Sequence, residues 1–222
     1  MYAFAQRADT KVIDEPFYAV YLKMSGADHP GRAEILGAMS TDPEEVIQDI
    51  ERLAETNEHV FVKNMAHHLI WGDLTFMQNW QNIFLIRDPW ELIISFAKVI
   101  PYPAMEDIGL KRSQELFEQQ GNSAVVIDSN EILKSPETVL TKVCEQTGIA
   151  MDPAMLQWPA GPLPEDGIWA KYWYSNVHKS TGFGAPKKGR EEMPSHLMPL
   201  YEAAKVHYDF LSANSIKHVT TI

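Results

Sequence analysis

The stretch Asn82-Ile-Phe-Leu-Ile-Arg87-Asp-Pro-Trp-Glu-Leu-Ile-Ile-Ser95 decides the fold. Its first half, Ile83-Phe-Leu-Ile86, is short, apolar and rich in strand formers, the pattern of a buried parallel strand. The run stops at a charge. Asp88 then reads as an N-cap, Pro89 as the first helical residue and Glu91 as the third, a capping box that starts a helix at once. Arg87 therefore stands at the carboxyl end of a strand, where open α/β sheets bind their ligands, and its guanidinium can grip a phosphate with two parallel hydrogen bonds. Ser95 returns to the Asp88 face of the helix about two turns later, at ~3.6 residues per turn. Spacing alone leaves two readings open: an anion site, or an Arg paired with a nearby carboxylate and a Ser that fills a small gap.

Strand and helix patterns alternate on both sides of this segment. Lys11-Val-Ile-Asp14 reads as a strand closed by Pro16, and His59-Val-Phe-Val-Lys63 and Ala124-Val-Val-Ile-Asp128 read as two more. Tyr2 to Arg7 looks helical but has no capping residue, and Phe17 to Leu22 suits a short apolar helix. A mostly helical region runs to Met39, and Asp42-Pro43-Glu44-Glu45 opens a helix with Val46, Ile47, Ile50 and Leu53 on one face. Further helical patterns cover 89–100 and 105–120, and Ser135-Pro136-Glu137 caps one that runs to Gly148. The last begins near Ser195, with Leu197, Leu200, Tyr201, Ala204, Tyr208 and Leu211 spaced to face a core, whereas Pro153 to Gly167 reads as surface loop. The whole predicts an α/β fold: a mainly parallel sheet with helices on both faces, a three-layer α/β/α arrangement.

The 222 residues are 45% hydrophobic and 22% charged, with no break in composition, so one domain spanning 1–222 is expected. A net charge of −11 leaves no surplus of Lys and Arg, which excludes sequence-independent binding to nucleic acid; any anionic ligand must be met by a local cluster. Cys144 is the only cysteine and lies in a helical pattern with Val139 and Val143, so an internal disulfide is impossible and a reducing cytoplasm fits. No run approaches ~18 apolar residues, and Met1-Tyr-Ala-Phe-Ala-Gln-Arg7 lacks the marks of a signal peptide, so no membrane partner is expected.

Several residues beyond Arg87 can carry chemistry. Lys63-Asn-Met-Ala-His67-His68 follows a strand, but two neighbouring histidines without a third ligand at suitable spacing make a weak zinc signal, and no metal is expected. Asp14 and Glu15 put two carboxylates at another strand end, where they can line a cleft as base or substrate contact, or where one can cap a helix. Trp158, Trp169, Trp173 and Tyr174 form a dense aromatic segment of a kind more often core than ligand cage. Lys171, Lys179, Lys187, Lys188 and Arg190 concentrate positive charge nearby.

Phe84-Leu-Ile-Arg87-Asp-Pro89 followed by Ser95-Phe96 resembles the 3′-phosphate-binding motif of the sulfotransferases, which take a sulfuryl group from 3′-phosphoadenosine-5′-phosphosulfate (PAPS). The resemblance implies that Arg87 and Ser95 hold the 3′-phosphate, and that basic residues among Lys171, Lys188 and Arg190 join them. It also implies a general base just after the strand that ends in Lys63. Here the base is His67 or His68, and neutral imidazole suits the task near pH 7. Phe4-Ala-Gln-Arg7, Asp14-Glu-Pro16, Lys63 with His67-His68, and Asp166-Gly-Ile-Trp-Ala-Lys171 extend the resemblance to a bacterial branch of sulfotransferase-like proteins, a branch that also appears beside aminotransferase-like domains in some plants.

What the resemblance implies is a P-loop NTPase-like fold, PAPS as co-substrate, 3′,5′-adenosine bisphosphate as product, and a small-molecule hydroxyl or amine as acceptor. Members of that branch begin with a strand and a Gly-Pro-Arg-Asn type of loop that cradles the 5′-phosphosulfate at a helix N-terminus. Here that strand and loop have no counterpart. The domain is therefore expected to be N-terminally incomplete by roughly 20 residues, with Met1 internal to a longer reading frame or, as the weaker alternative, the true start of a short chain. In this form donor binding and activity are expected to be poor. Two rivals remain: a degenerate, non-catalytic nucleotide- or partner-binding module, and a small-molecule kinase on a P-loop fold, which would itself need the phosphate loop.

Overall fold

The computed structural model describes residues 1–121, 124–186 and 189–218. Its elements, in chain order, are β1 (Thr10–Asp14), α1 (Tyr18–Ser25), α2 (Arg32–Ala38), α3 (Pro43–Ala54), β2 (His59–Lys63), β3 (Ile83–Ile86), α4 (Pro89–Ala97), α5 (Met105–Ile108), α6 (Leu110–Gln120), β4 (Val125–Asp128), α7 (Ser129–Lys134), α8 (Pro136–Thr147), α9 (Ala170–Trp173), α10 (Met198–Ala213) and β5 (Ser215–Ile216). Every strand pairing is parallel: β1 with β2, β3 with β4, and β4 with β5. Parallel neighbours need long crossovers, and the intervening helices supply them. The parallel α/β class read from the sequence is the class the chain adopts. Its strands are divided between two sheets, β1-β2 and β3-β4-β5. The chain itself forms two compact units, Met1–Leu74 with Asp152–Phe183, and Thr75–Met151 with Gly184–Ile222.

In the first unit α1 buries Tyr18 through Leu22 on all sides, as an apolar-all-round helix must, and Gly26 ends it in the left-handed conformation. Helix α3 is amphipathic: Asp42 accepts from the Glu44 amide at 2.9 Å, Pro43 takes the first helical position, and Val46, Ile47 and Ile50 are buried. The helical look of Tyr2 to Arg7 shrinks to one 3₁₀ turn, Phe4–Gln6, with no side-chain cap to hold a longer one. Phe4 stacks on Phe61 of β2 with ring centroids 4.0 Å apart.

In the second unit Phe84 and Ile86 of β3 are buried, while Leu85 between them is 67% exposed, so β3 is covered on one face only. Strand β4 is buried throughout. The helical pattern over 105–120 is broken in two, because Gly109 adopts φ 71° between α5 and α6. Helix α7 and the short β5 have no clear periodicity in the sequence. The first is set by its cap, Asp128 accepting from the Asn130 amide at 2.8 Å, and the second by its ladder to β4. Buried Val139, Leu140, Val143 and Cys144 of α8, and Leu197, Ala204 and Leu211 at and within α10, follow the expected helical spacing. Among the described residues no helix is long and apolar enough to cross a membrane.

Three stability predictions rest on this backbone and its contacts. Gly37 lies within α2 and a Cβ there would meet open space, so Gly37→Ala is expected to raise stability by about 0.5–1 kcal/mol. Gly148 closes α8 at φ 76°, and Gly148→Ala is expected to cost about 1 kcal/mol. Urea denaturation of the pair gives opposite signs if these backbones are right. Burial opposes ionisation of Glu131, yet hydrogen bonds from the His218 amide (2.9 Å), His218 Nδ1 (2.5 Å) and Lys134 outweigh it and hold the carboxyl at about 2 against an ordinary 4.5. The native value lies below the unfolded one, so this stabilisation is complete above about pH 4.5 and disappears as pH falls towards 2. Glu131→Gln is accordingly expected to lose up to about 3 kcal/mol at pH 6 and almost nothing near pH 2, a convergence that acid-limb denaturation curves would reveal.

Candidate functional site

Strands β1 and β2 end side by side, with Asp14 opposite Lys63 in the parallel register. The amide of Glu15 donates to the Lys63 carbonyl at 2.7 Å, which carries the ladder one residue past β1. Lys63 Nζ is thereby placed among oxygens. It donates to Glu15 Oε1 and to the Tyr174 hydroxyl (2.8 Å), and stands 3.5 Å from Asp14 Oδ1. The Tyr174 hydroxyl in turn lies 2.8 and 2.9 Å from the two Asp14 oxygens, and the Gly167 amide donates to Asp14 Oδ2 at 3.1 Å. Burial lowers the Lys63 pKa, opposed by Asp14, and burial with the Asp14 charge raises that of Tyr174, which keeps the phenol a donor.

The histidines come next. One 3₁₀ turn, Ala66–His68, carries both rings inward. His68 is 2% exposed and lies nearly parallel to the rings of Tyr18 (4.5 Å) and Tyr21 (4.9 Å) of α1, while His67 meets Tyr21 and His68 edge-on. His68 Nδ1 is 3.8 Å from Glu15 Oε2 and makes no hydrogen bond. Burial, reinforced by His67, Lys63 and His29, holds the His68 pKa well below the usual 6.5, so the ring is neutral at pH 7. A neutral, buried imidazole beside a cation and a carboxylate is equipped to accept a proton.

A second node closes over this strand end. Asp166 Oδ2 accepts from Tyr2 OH (2.7 Å), the Leu163 amide (3.0 Å) and His178 Nε2 (2.9 Å). A Cβ at Gly167 would fall 2.1 Å from the Trp169 indole, so only glycine lets this loop turn there. Sequence reasoning missed Tyr2, Tyr174 and Asp166 as site residues. Their only signal is the Asp166-Gly-Ile-Trp-Ala-Lys171 motif, since nothing in one chain links Tyr174 to a carboxylate 160 positions away.

In the second unit Arg87 follows β3 directly, half-buried, and its Nε and Nη2 both donate to Glu91 Oε2, at 3.2 and 3.0 Å. Asp88 caps α4 as expected, accepting from the Trp90 amide at 2.8 Å, but Glu91 does not complete a capping box: it is engaged by Arg87 instead. Arg190 reaches the same helix turn, donating to Asp88 Oδ2 at 2.7 Å with its guanidinium 4.5 Å over the Trp90 ring. Ser95 is exposed, farther along α4. Of the other basic candidates, Lys171 belongs to the first unit and pairs with Glu34 of α2 at 2.7 Å, and Lys188 lies outside the described residues. Asp9, Glu58 and His59 come close enough to suit a metal, at the amino ends of β1 and β2, but Arg7 already binds both Asp9 oxygens.

The chain is 37% identical over 226 residues to branched-chain-amino-acid aminotransferase-like protein 1 of Arabidopsis thaliana and 35% identical over 218 residues to protein 2 of the same plant. These alignments take in 100% and 93% of this chain but 40% and 39% of the relatives, so the chain spans about two-fifths of their length. Among solved structures, the sulfotransferase domain of the Synechococcus PCC 7002 olefin synthase aligns at a TM-score of 0.47 and 13% identity, over 83% of this chain and 72% of that one. The model of the sulfotransferase domain family matches residues 1–208, a span that takes in the β1–β2 strand end and the Arg87 turn alike, and the chain therefore belongs to the sulfotransferase domain family.

Proposed function

We propose that this protein transfers a sulfuryl group from PAPS to the hydroxyl or amine of a small-molecule acceptor, and that residues 1–222 act as one sulfotransferase-like domain. Beyond the family match, the observation that carries the reading is the neutral imidazole of His68, buried at the end of β2 beside Lys63 and Glu15. His68 takes the acceptor proton, with His67 the alternative one position away. Lys63 is the cation of this strand end and offsets charge on the transferred group, and Asp14 and Glu15 orient it and the acceptor. Arg87, with Ser95 and Arg190, holds the 3′-phosphate; Lys171 and Lys188 are assigned there by resemblance. The fork that now grips the Glu91 carboxylate is the fork that suits a phosphate. The donor itself contributes an activated sulfuryl group, held in a mixed anhydride with phosphate, so the chain's work is proton removal, charge placement and orientation. The lone, buried thiol of Cys144 supports a cytoplasmic setting.

A second reading, binding without transfer, is favoured by one feature: Arg87 and Arg190 already have carboxylate partners that a phosphate must displace. Calorimetry with 3′,5′-adenosine bisphosphate and with ATP, followed by transfer assays with PAPS and a panel of phenols, alcohols and amines, separates the alternatives. Selective bisphosphate binding is expected. Arg87→Ala should weaken it about 10–100-fold, and His68→Asn should abolish transfer while leaving bisphosphate affinity unchanged. Preference for ATP would point to a kinase, and bisphosphate binding with no transfer to any acceptor would leave the binding module.

A further inference from the structure

Glu15 has a backbone that its neighbours force on it. Among the described residues it is the one non-glycine with positive φ, at 41°, a conformation that L side chains rarely adopt and that persists where surroundings over-determine it. The surroundings are visible. Its amide is held by the Lys63 carbonyl, its own carbonyl accepts from the Tyr18 amide at 3.0 Å, and Pro16 disfavours the right-handed alternative. The result is a carboxylate turned into the protein, 5% exposed, with Oε1 on Lys63 and Oε2 facing His68 Nδ1. Were Glu15 only a helix cap, its side chain would face the amides that open α1; the first turn of α1 has no side-chain cap.

The geometry points to Glu15 as the positioning residue of the base: its carboxylate fixes His68 as the Nδ1–H tautomer, which leaves the lone pair on Nε2 for the acceptor's proton. This rests on the reading of His68 given above. In the step it serves, the acceptor proton passes to Nε2 as the acceptor oxygen or nitrogen bonds to sulfur. The bond from sulfur to the phosphate oxygen breaks, and its electron pair leaves with the adenosine bisphosphate. Glu15 stays ionised, takes no proton, and faces the imidazolium as it forms. At 3.8 Å the carboxylate lies just beyond hydrogen-bond reach of the neutral ring, near enough for its charge to favour the proton on Nδ1, and catalytic contacts of this kind tighten from the free to the loaded enzyme. Lys63 shares the same carboxylate, so its partner and the base's partner are one group.

Long-range ¹H–¹⁵N correlation spectra of the histidine rings in the whole chain, without donor or acceptor, test the assignment. The Nδ1–H tautomer of His68 is expected in the wild type, and a mixed population in Glu15→Gln. The Nε2–H tautomer in the wild type, or an unchanged spectrum in folded Glu15→Gln, overturns it. With PAPS and whichever acceptor the panel identifies, kcat should fall about 100-fold in Glu15→Gln, and Glu15→Asp should recover part of the loss. An unchanged kcat would also overturn the assignment. Because the tautomer is read without substrates, absence of transfer in the wild type would count against the sulfotransferase reading alone.

Discussion

One partly buried lysine between two buried carboxylates organises the first unit. Taking Lys63, Asp14 and Glu15 out of water carries a desolvation cost of several kcal/mol per ion, which mutual attraction offsets only if the remaining hydrogen-bonding capacity is met. Tyr174 and the Gly167 amide meet it. The segment that carries them is held by these polar contacts and by Trp169, which is buried against Tyr18 of α1. The same requirement makes the site: groups that must satisfy one another in the fold are the groups that hold a neutral histidine, an ammonium and a carboxylate in mutual reach. Stability and the proposed chemistry here rest on the same atoms.

The turn at the start of α4 solves a related problem differently. In a chain of net charge −11, cations attract carboxylates wherever the geometry allows, and both guanidiniums near this turn have found one. These pairs are partly exposed, so each contributes little to stability. They do orient the planar forks, and Trp90 adds an aromatic face under Arg190. An anion arriving there would have to displace both carboxylates from forks that are already oriented.

Local signals in the sequence were strong where a single cap or a single period decides the backbone. Asp42 and Asp88 cap α3 and α4, Ser135-Pro136 opens α8, and the four strand patterns form with shifts of at most one residue at their ends. The misses have specific causes. Gly109 interrupts a period that continues on both sides of it, α7 is too short to show one, and β5 exists only through its pairing with β4. Glu91 reads equally as cap or ion-pair partner, and the adjacent arginine decided it.

The site divides along the same line. Composition, periodicity and motif spacing were enough to determine the parallel α/β class, the strand-end positions of Asp14, Lys63 and Arg87, and the family resemblance they carry. Local rules act over a few residues, and those features are local. Only the tertiary structure decided that His68 rather than His67 faces Glu15, that Tyr174 completes the Asp14–Lys63 cluster, that Lys171 is committed to Glu34, and that Arg190 joins the Arg87 turn. Each of these depends on side chains that meet across long stretches of chain, and such meetings are set by the packing of elements and by the need to satisfy buried charge, neither of which one sequence displays.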